Sequence, residues 1–248
     1  MAGLVEASMV SGTMSTLRTK AKIAASNNAD LCAAIMAAHD LRTTAEYLCI
    51  DDPLPYYPKM VTLDEQASAE VMSRLQHSDA QDIRTIKDSF SCLDAKILGM
   101  KTLFEASWIW HDAIAQDLPP NYLPPNWIQI QTAKQLANWH QAWGGDNPTE
   151  RVIFPPACLN DANLTFLARL SGTEIHAGCI ANLSKDAIGL SNVFSQHPND
   201  THLYQEALAA VSAMGGPRPV VGYESGQDLV AARASGFQEV GRLRVLGR

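Results

Sequence analysis

The chain has 248 residues, of which 46% are hydrophobic, so it can bury one large core or two modest ones. Charged residues make up 18% and the formal net charge is −7, so the chain has no basic field that would gather phosphates, which argues against nucleic-acid binding. A neutral or cationic small-molecule partner fits this charge better.

Neither a membrane segment nor a secretion signal is predicted. No stretch reaches the ~18 to 20 uncharged apolar residues of a membrane helix, and residues 1–19 lack a basic region followed by an apolar core. The five cysteines are scattered, with no CxxC pair and no histidine at ligand spacing, so buried free thiols are expected rather than disulfides or a metal site. These features predict a cytoplasmic protein.

The first half of the chain alternates between helical and strand patterns. Residues 1–28 are small, polar and unpatterned, and we expect a loose leader that carries no chemistry. Apolar residues at steps of three and four predict an amphipathic helix over residues 29–49, which Pro53 and Pro55 end. The elements expected after it are a strand at 56–63, a helix at 64–76, a strand at 84–90, a short helix at 91–98 and a long strand at 100–110.

A proline cluster then separates the two halves. Four prolines fall within residues 116–126, and such a segment is stiff and extended, so it predicts a linker between a domain at 29–115 and a domain at 127–248. The second domain should run through a strand, a helix, a hairpin, a strand, a helix, a strand, a helix and a strand. These elements are expected at 127–132, 133–143, 164–183, 187–194, 200–214, 219–223, 227–234 and 237–246.

The two halves share turn and capping residues at a constant offset. Ser225 follows Ser89 by 136 residues, and Asp200, where a helix is expected to start, follows Asp64 by the same 136 residues. A short helix, a glycine and an apolar strand follow each serine. We interpret this pattern as a duplication with a truncated first copy, because the first copy lacks the length of one β-hairpin near its start. A chance likeness of two βαβαβ stretches is the alternative.

The second half resembles the GNAT (GCN5-related N-acetyltransferase) fold. Residues 219–237 read PVVGYESGQDLVAARASGF, similar to the family's late strand-helix segment, and the 11-residue spacing from Ser225 to Gly236 matches the family's spacing from Asn to Gly-Phe. The order of helix, hairpin, bulged strand, helix, strand, helix and strand is also that of the family. The resemblance implies an α/β protein with a GNAT-like mixed central sheet flanked by helices, pseudo-duplicated in the first half.

The resemblance also implies a site for acetyl-CoA or another acyl-CoA. In the family, two parallel strands splay apart, the pantetheine arm fills the gap like an added strand, and the pyrophosphate lies at the N-terminus of the next helix. The loop at 195–201 contains no glycine, however, and it includes Asp200, whose carboxylate would repel a phosphate. The implied coenzyme-binding positions are Asn192, Val193, Phe194, Ser195, Gln196 and Thr201.

Candidate catalytic residues lie where the apolar strand at 219–223 ends. Tyr223, Glu224 and Ser225 follow one another at the carboxyl end of that strand, where α/β sheets tend to bind ligands, and Glu224 or Tyr223 is the candidate general base. Helix capping by the acid and the serine is the alternative. Asp88 and Ser89 are the matching pair in the first half, where capping is the expected role.

Three functions remain open. The first is transfer of an acyl group from acyl-CoA to an amine of a small molecule or peptide held between the halves, with no nucleic acid, membrane or metal taking part. The second is a non-catalytic GNAT-like binding or scaffold protein that has lost the coenzyme loop. The third is a different small-molecule enzyme that uses the same cleft. The oligomeric state is also open, with a homodimer as one alternative.

Overall fold

The computed structural model describes residues 2–65, 68–76, 82–113, 122–145, 151–198 and 200–248. Its helices are α1 (Ala2–Ala37), α2 (Ser68–Gln76), α3 (Ala133–Gly144), α4 (Leu203–Gly215) and α5 (Gly226–Ala234). Its strands are β1 (Met60–Val61), β2 (Thr85–Asp88), β3 (Lys101–His111), β4 (Trp127–Gln129), β5 (Leu164–Ser171), β6 (Glu174–Leu183), β7 (Ile188–Ser195), β8 (Val220–Glu224) and β9 (Gln238–Gly247). Among the described residues, no helix has the length and apolar character needed to span a bilayer.

All of these strands join one mixed sheet in the order β1-β2-β9-β3-β8-β7-β6-β5-β4. The pairs β1/β2 and β7/β8 are parallel, and the other neighbouring pairs are antiparallel. Trp108 and Trp110 of β3 pack in the cluster that contains α1 residues, whereas Ile109 between them packs with α4 and α5. Because neighbouring side chains of a strand point to opposite faces, the helices cover both faces of the sheet. The predicted mixed sheet flanked by helices is confirmed.

The prediction of a loose leader at residues 1–28 is wrong, because α1 begins at Ala2 and packs across the sheet. Ala21, Ala24 and Ala25 are buried in one cluster with Trp108. Alanine is the strongest helix former, but it is small, so an alanine-rich face contrasts little with the polar residues around it. The packing face of α1 is therefore weakly marked in the sequence.

Two asparagines fix the position of α1 on the sheet. Asn182 of β6 donates from Nδ2 to the carbonyl oxygen of Asn27 at 2.9 Å, and Asn27 donates from Nδ2 to the carbonyl oxygen of Asn182 at 3.2 Å. Both side chains are buried. The helix predicted at 29–49 also ends early, at Ala37, and the chain turns at Asp40, which has a φ of 57°.

The strands of the two predicted domains interleave. β9 lies between β2 and β3, and β3 lies between β9 and β8, so strands from residues 29–115 and from residues 127–248 share one sheet. The linker predicted at 116–126 falls mostly outside the described residues, which resume at Tyr122. The halves form one continuous sheet rather than two separately packed units.

The interleaved strands have an arrangement that suits a duplication. The segments β1-α2-β2 and β7-α4-β8 are both parallel strand-helix-strand units. In the strand order β1-β2-β9-β3-β8-β7, reversal puts β7 in the place of β1 and β8 in the place of β2. Common origin stays a prediction, and the measurement is a backbone superposition of residues 56–109 on residues 188–246, which should place Ser89 on Ser225. An alignment that pairs other strands would contradict it.

The segment after β2 forms turns, where the sequence predicts a short helix at 91–98. The Asp88 carboxylate caps these turns, accepting hydrogen bonds from the backbone N–H groups of Cys92 at 3.1 Å and Leu93 at 3.0 Å. Arg244 of β9 donates from Nε to the same carboxylate at 3.0 Å. Asp88 thus caps turns, in place of the helix that the sequence predicts there.

Candidate functional site

The parallel strands β7 and β8 separate after two residue pairs. Ile188 pairs with Val220 and Gly189 with Val221, and within these two fully described strands no later pair forms. β7 nevertheless continues to Ser195 and β8 to Glu224. The facing strand edges beyond the second pair therefore do not bond to each other, which is the kind of gap that an extended ligand can fill like an added strand.

A β-bulge turns β7 at this gap. Ser191 pairs with Ile180 of β6 and Phe194 pairs with Gly178, so two residues of β7 face one residue of β6. Asn192, the first of the two, has a φ of 52°, in the left-handed region that few residues adopt. The bulged strand implied by the family resemblance is present.

A cavity of about 210 Å³ lies at the gap. Its wall includes Asn28 and Cys32 of α1, Lys87 of β2 and Trp143 of α3. Four residues predicted as site residues also line it, namely Asn192, Val193, Tyr223 and Glu224. Residues from both halves of the chain thus meet in one cavity.

The other predicted site residues lie outside this cavity. Ser225 is the N-cap residue of α5, and its side chain makes no capping hydrogen bond. Phe194 packs edge-on against Trp139, with 5.1 Å between the ring centroids. Gln196 donates from Nε2 to the carbonyl oxygen of Ala142 at 2.6 Å, so its side chain is bound to the end of α3.

The carboxyl group of Glu224 titrates close to neutral pH. Burial raises its pKa to about 8, a hydrogen bond with Tyr204 opposes this rise, and the Asp228 carboxylate adds to it. A group with such a pKa can exchange its proton near neutral pH, which is the property required of a general acid or base. Sequence reasoning misses Tyr204, because only the packing of α4 on the sheet brings it to β8.

Lys87 is the cation of the cavity. It is 3% exposed, its Nζ donates to Oδ1 of Asn28 at 2.7 Å, and Nζ lies 4.6 Å from the ring centroid of Tyr223. The Tyr223 ring is held by an edge-on contact with Trp108, at 5.6 Å between centroids. Sequence reasoning misses Lys87 and Asn28 as site residues because they lie 59 residues apart. The one available signal is a lysine within a short predicted strand.

An ion-pair network that sequence reasoning also misses holds the loop before α4. The guanidinium of Arg169 in β5 contacts the Asp200 carboxylate and pairs with Oε2 of Glu206 at 2.8 Å. Ser195 donates from Oγ to Oδ2 of Asp200 at 2.9 Å. Burial raises the pKa of Asp200, but the contacts with Arg169 and Ser195 outweigh it and lower the pKa overall. Asp200 is therefore an ionised, paired carboxylate rather than the bare helix cap expected from the sequence.

The gap suits one part of an acyl-CoA better than the other. The separated edges of β7 and β8 suit the pantetheine arm, which binds through backbone hydrogen bonds. At the loop, Thr201 is exposed and the N-cap residue of α4 is His202. The Arg169 guanidinium there is already shared by two carboxylates, Asp200 and Glu206. The loop therefore adds little positive charge for a pyrophosphate.

Solved structures of acetyltransferases are similar to this chain over most of its length. A GCN5-related N-acetyltransferase from Kribbella flavida aligns with a TM-score of 0.56 and 14% identity, covering 91% of this chain and 95% of its own. A GNAT-family protein from Novosphingobium aromaticivorans aligns with a TM-score of 0.50 and 13% identity, covering 86% of this chain and 93% of its own. No protein-family model and no curated protein matches the sequence. The chain has the GNAT fold, and the likeness extends beyond the second half.

Proposed function

We propose that this protein is an acyltransferase that moves an acyl group from acyl-CoA to an amine bound in the cavity. The observation that carries the proposal is the position of Glu224, a carboxyl with a pKa of about 8 that lines a cavity at the gap between β7 and β8. The GNAT fold of the structural relatives supports this reaction class.

The donor would lie along the free edge of β7. Asn192 and Val193, at the bulge, are the residues that would border the pantetheine arm and the thioester. Acyl-CoA supplies the activated acyl group, and backbone N–H groups beside the gap would polarise its carbonyl. Ser195 and Thr201 border the place where the phosphates would lie. The ion-pair network of Arg169 would supply no net positive charge to these phosphates.

Glu224 would act on the acceptor amine. Its carboxylate takes a proton from the amine nitrogen as that nitrogen bonds to the acyl carbon, the carbon–sulfur bond breaks, and the thiolate leaves and is protonated by water. The hydrogen bond between Tyr204 and Glu224 lowers the pKa of the carboxyl, so Tyr204 is a positioning residue that keeps the base available. Tyr223, beside Glu224, is the second candidate for a proton-handling group.

A reducing compartment such as the cytoplasm is the proposed location. All five cysteines are free thiols, and four of them are buried. Thiols persist where the environment is reducing.

A binding or scaffold protein without catalysis is the second candidate function. The Arg169 network favours it, because Asp200 and Glu206 leave the coenzyme loop without net positive charge. In that case the cavity would bind a small molecule without turning it over.

Donor binding separates the two candidates. Thermal unfolding should be measured with acetyl-CoA and longer acyl-CoAs, since a ligand at ~100 times its Kd adds ~2.7 kcal/mol to the free energy of unfolding. S-acetylpantetheine, which lacks the phosphates, should retain most of this gain if the splayed strands carry the binding. An unchanged melting temperature across the whole panel would contradict the acyltransferase proposal and favour the scaffold function.

A further inference from the structure

Lys87 is a buried cation without a carboxylate partner among the described residues. Its Nζ donates to Oδ1 of Asn28 at 2.7 Å, lies 4.6 Å from the centroid of the Tyr223 ring, and hydrogen-bonds with the Tyr223 side chain. The Asn28 side chain is an uncharged amide. In the described part of the chain no ion pair to Lys87 is formed.

Two other buried charged groups, Asp88 and Lys59, are satisfied by an ion pair and by two backbone carbonyl groups, respectively. Asp88, the next residue, pairs with Arg244 at 3.0 Å. Lys59, the other buried lysine, donates from Nζ to the carbonyl oxygens of Ile50 at 3.1 Å and Asp51 at 2.9 Å. Buried charges in proteins are normally paired, because an unpaired ammonium loses its hydration without compensation. Lys87 departs from this rule at the wall of a cavity.

Lys87 remains charged despite its burial. Burial lowers the pKa of the ammonium group, but Tyr223 and Cys32 raise it, and the net shift is upward. Glu224 lines the same cavity, yet its own raised pKa leaves it largely protonated at neutral pH. The described residues that line the cavity therefore supply no full negative charge to complete the Lys87 site.

We propose that Lys87 and Asn28 bind a carboxylate of the acceptor, so that the amine substrate is an amino acid or another amine that carries a carboxylate. The inference rests on the proposed acyl transfer, and it names the class of acceptor. One lysine balances one negative charge, whereas a phosphate monoester carries about −1.5 to −2. Among the described residues that line the cavity, Lys87 is the sole cation. A carboxylate matches this charge.

The size and layout of the cavity agree with a small acceptor. Its volume of about 210 Å³ is below the ~300 to 1,000 Å³ of pockets for drug-sized ligands. Glu224 handles the proton of the amine, and the Lys87 ammonium with the Asn28 amide supplies donors to the carboxylate. The acceptor would thus be held at its carboxylate and at its amine.

Matched acceptors test this assignment in the acyl-transfer reaction. Free L-amino acids should be compared with their C-terminal amides at equal concentrations of the free-base amine, with acetyl-CoA as donor. Each pair has nearly the same size, and the fixed free-base concentration leaves the carboxylate charge as the main difference. The wild-type protein should prefer the acids by ~10-fold or more in kcat/KM, as expected for a hydrogen bond to a charged group. The Lys87→Met variant should lose this preference, whereas Lys59→Met, which removes a buried lysine outside the cavity, should keep it.

A binding measurement separates this inference from the acyltransferase proposal. The same amino acids, added without any donor, should raise the melting temperature of the wild-type protein and not that of Lys87→Met. We expect Lys87→Met to fold, since it removes an unpaired buried charge, and Lys87→Gln serves as a second variant. Stabilisation by acids without acyl transfer would support the carboxylate site and contradict the proposed reaction. Equal transfer to acids and amides, or no stabilisation by any amino acid, would overturn the carboxylate site.

Discussion

Replacing Glu224 with Gln is expected to lower turnover by ~100-fold or more, in line with the usual contribution of general-base catalysis. The substitution keeps the shape of the side chain and its reach to Tyr204 but removes the group that accepts the proton. Acyl transfer should be measured with a saturating donor and a panel of amines. Glu239→Gln is the control, because Glu239 lies on β9 and bonds to Ser107 at 2.8 Å, outside the cavity. Unchanged turnover in Glu224→Gln would remove Glu224 from the mechanism.

The pH dependence of the wild-type kcat/KM should report the ionisation of Glu224. Burial raises the pKa of Glu224 to about 8, so the fraction of active carboxylate grows as the pH rises through that value. We expect kcat/KM to increase up to about pH 8 and then level off, provided that the amine is compared at a fixed free-base concentration. A rate that falls across this range would indicate that protonated Glu224 acts as an acid instead.

The Glu224→Gln substitution should also stabilise the folded protein at neutral and alkaline pH. The ordinary pKa of a glutamate is 4.5 and that of folded Glu224 is about 8, so the unfolded chain loses this proton first and stability falls as the pH rises between these values. Glutamine has no proton to lose. Because the side chain keeps some solvent contact, we expect a gain on the order of 2 kcal/mol at pH 8, or roughly 4 to 8 °C in Tm, and none at pH 4.

The parts of the fold that the sequence predicts well are those set by neighbouring residues. The hairpin expected at 164–183 is formed by β5 and β6, because the alternation of its strands and its turn at Gly172 lie within a few residues of each other. The helix expected at 227–234 matches α5 to within one residue and ends before Gly236, which has a φ of 96°. Such elements need no knowledge of distant contacts.

The parts of the site that the sequence does not predict depend on distant contacts. Tyr223 and Glu224 are found because they end an apolar strand, a local pattern. Lys87 and Asn28 become site residues only when α1 packs across the sheet and brings Asn28 within hydrogen-bond distance of Lys87. The packing face of α1 is itself marked by alanines that give little contrast.

Arg169 offers the second large expected effect. Replacing it with Ala should lower the free energy of unfolding by about 3 kcal/mol, because Asp200 and Glu206 would be left as partly buried carboxylates without a cation. Equilibrium unfolding in urea at neutral pH is the measurement. Arg233→Ala is the matched control, since the Arg233–Glu239 pair, at 3.2 Å, is largely exposed and such pairs contribute at most about 1 kcal/mol.

The pH dependence of this loss distinguishes the ion pair from simple loss of packing. In the wild type Arg169 and Ser195 lower the pKa of Asp200, so the stabilisation is present above the ordinary aspartate pKa and is lost as the pH falls through the lowered value. The difference between wild type and Arg169→Ala should therefore shrink in acid. A difference that stays constant with pH would show that Arg169 contributes through the packing of its side chain alone. In that case Arg169 would not neutralise the Asp200 carboxylate, and the loop would repel a phosphate as the sequence predicts.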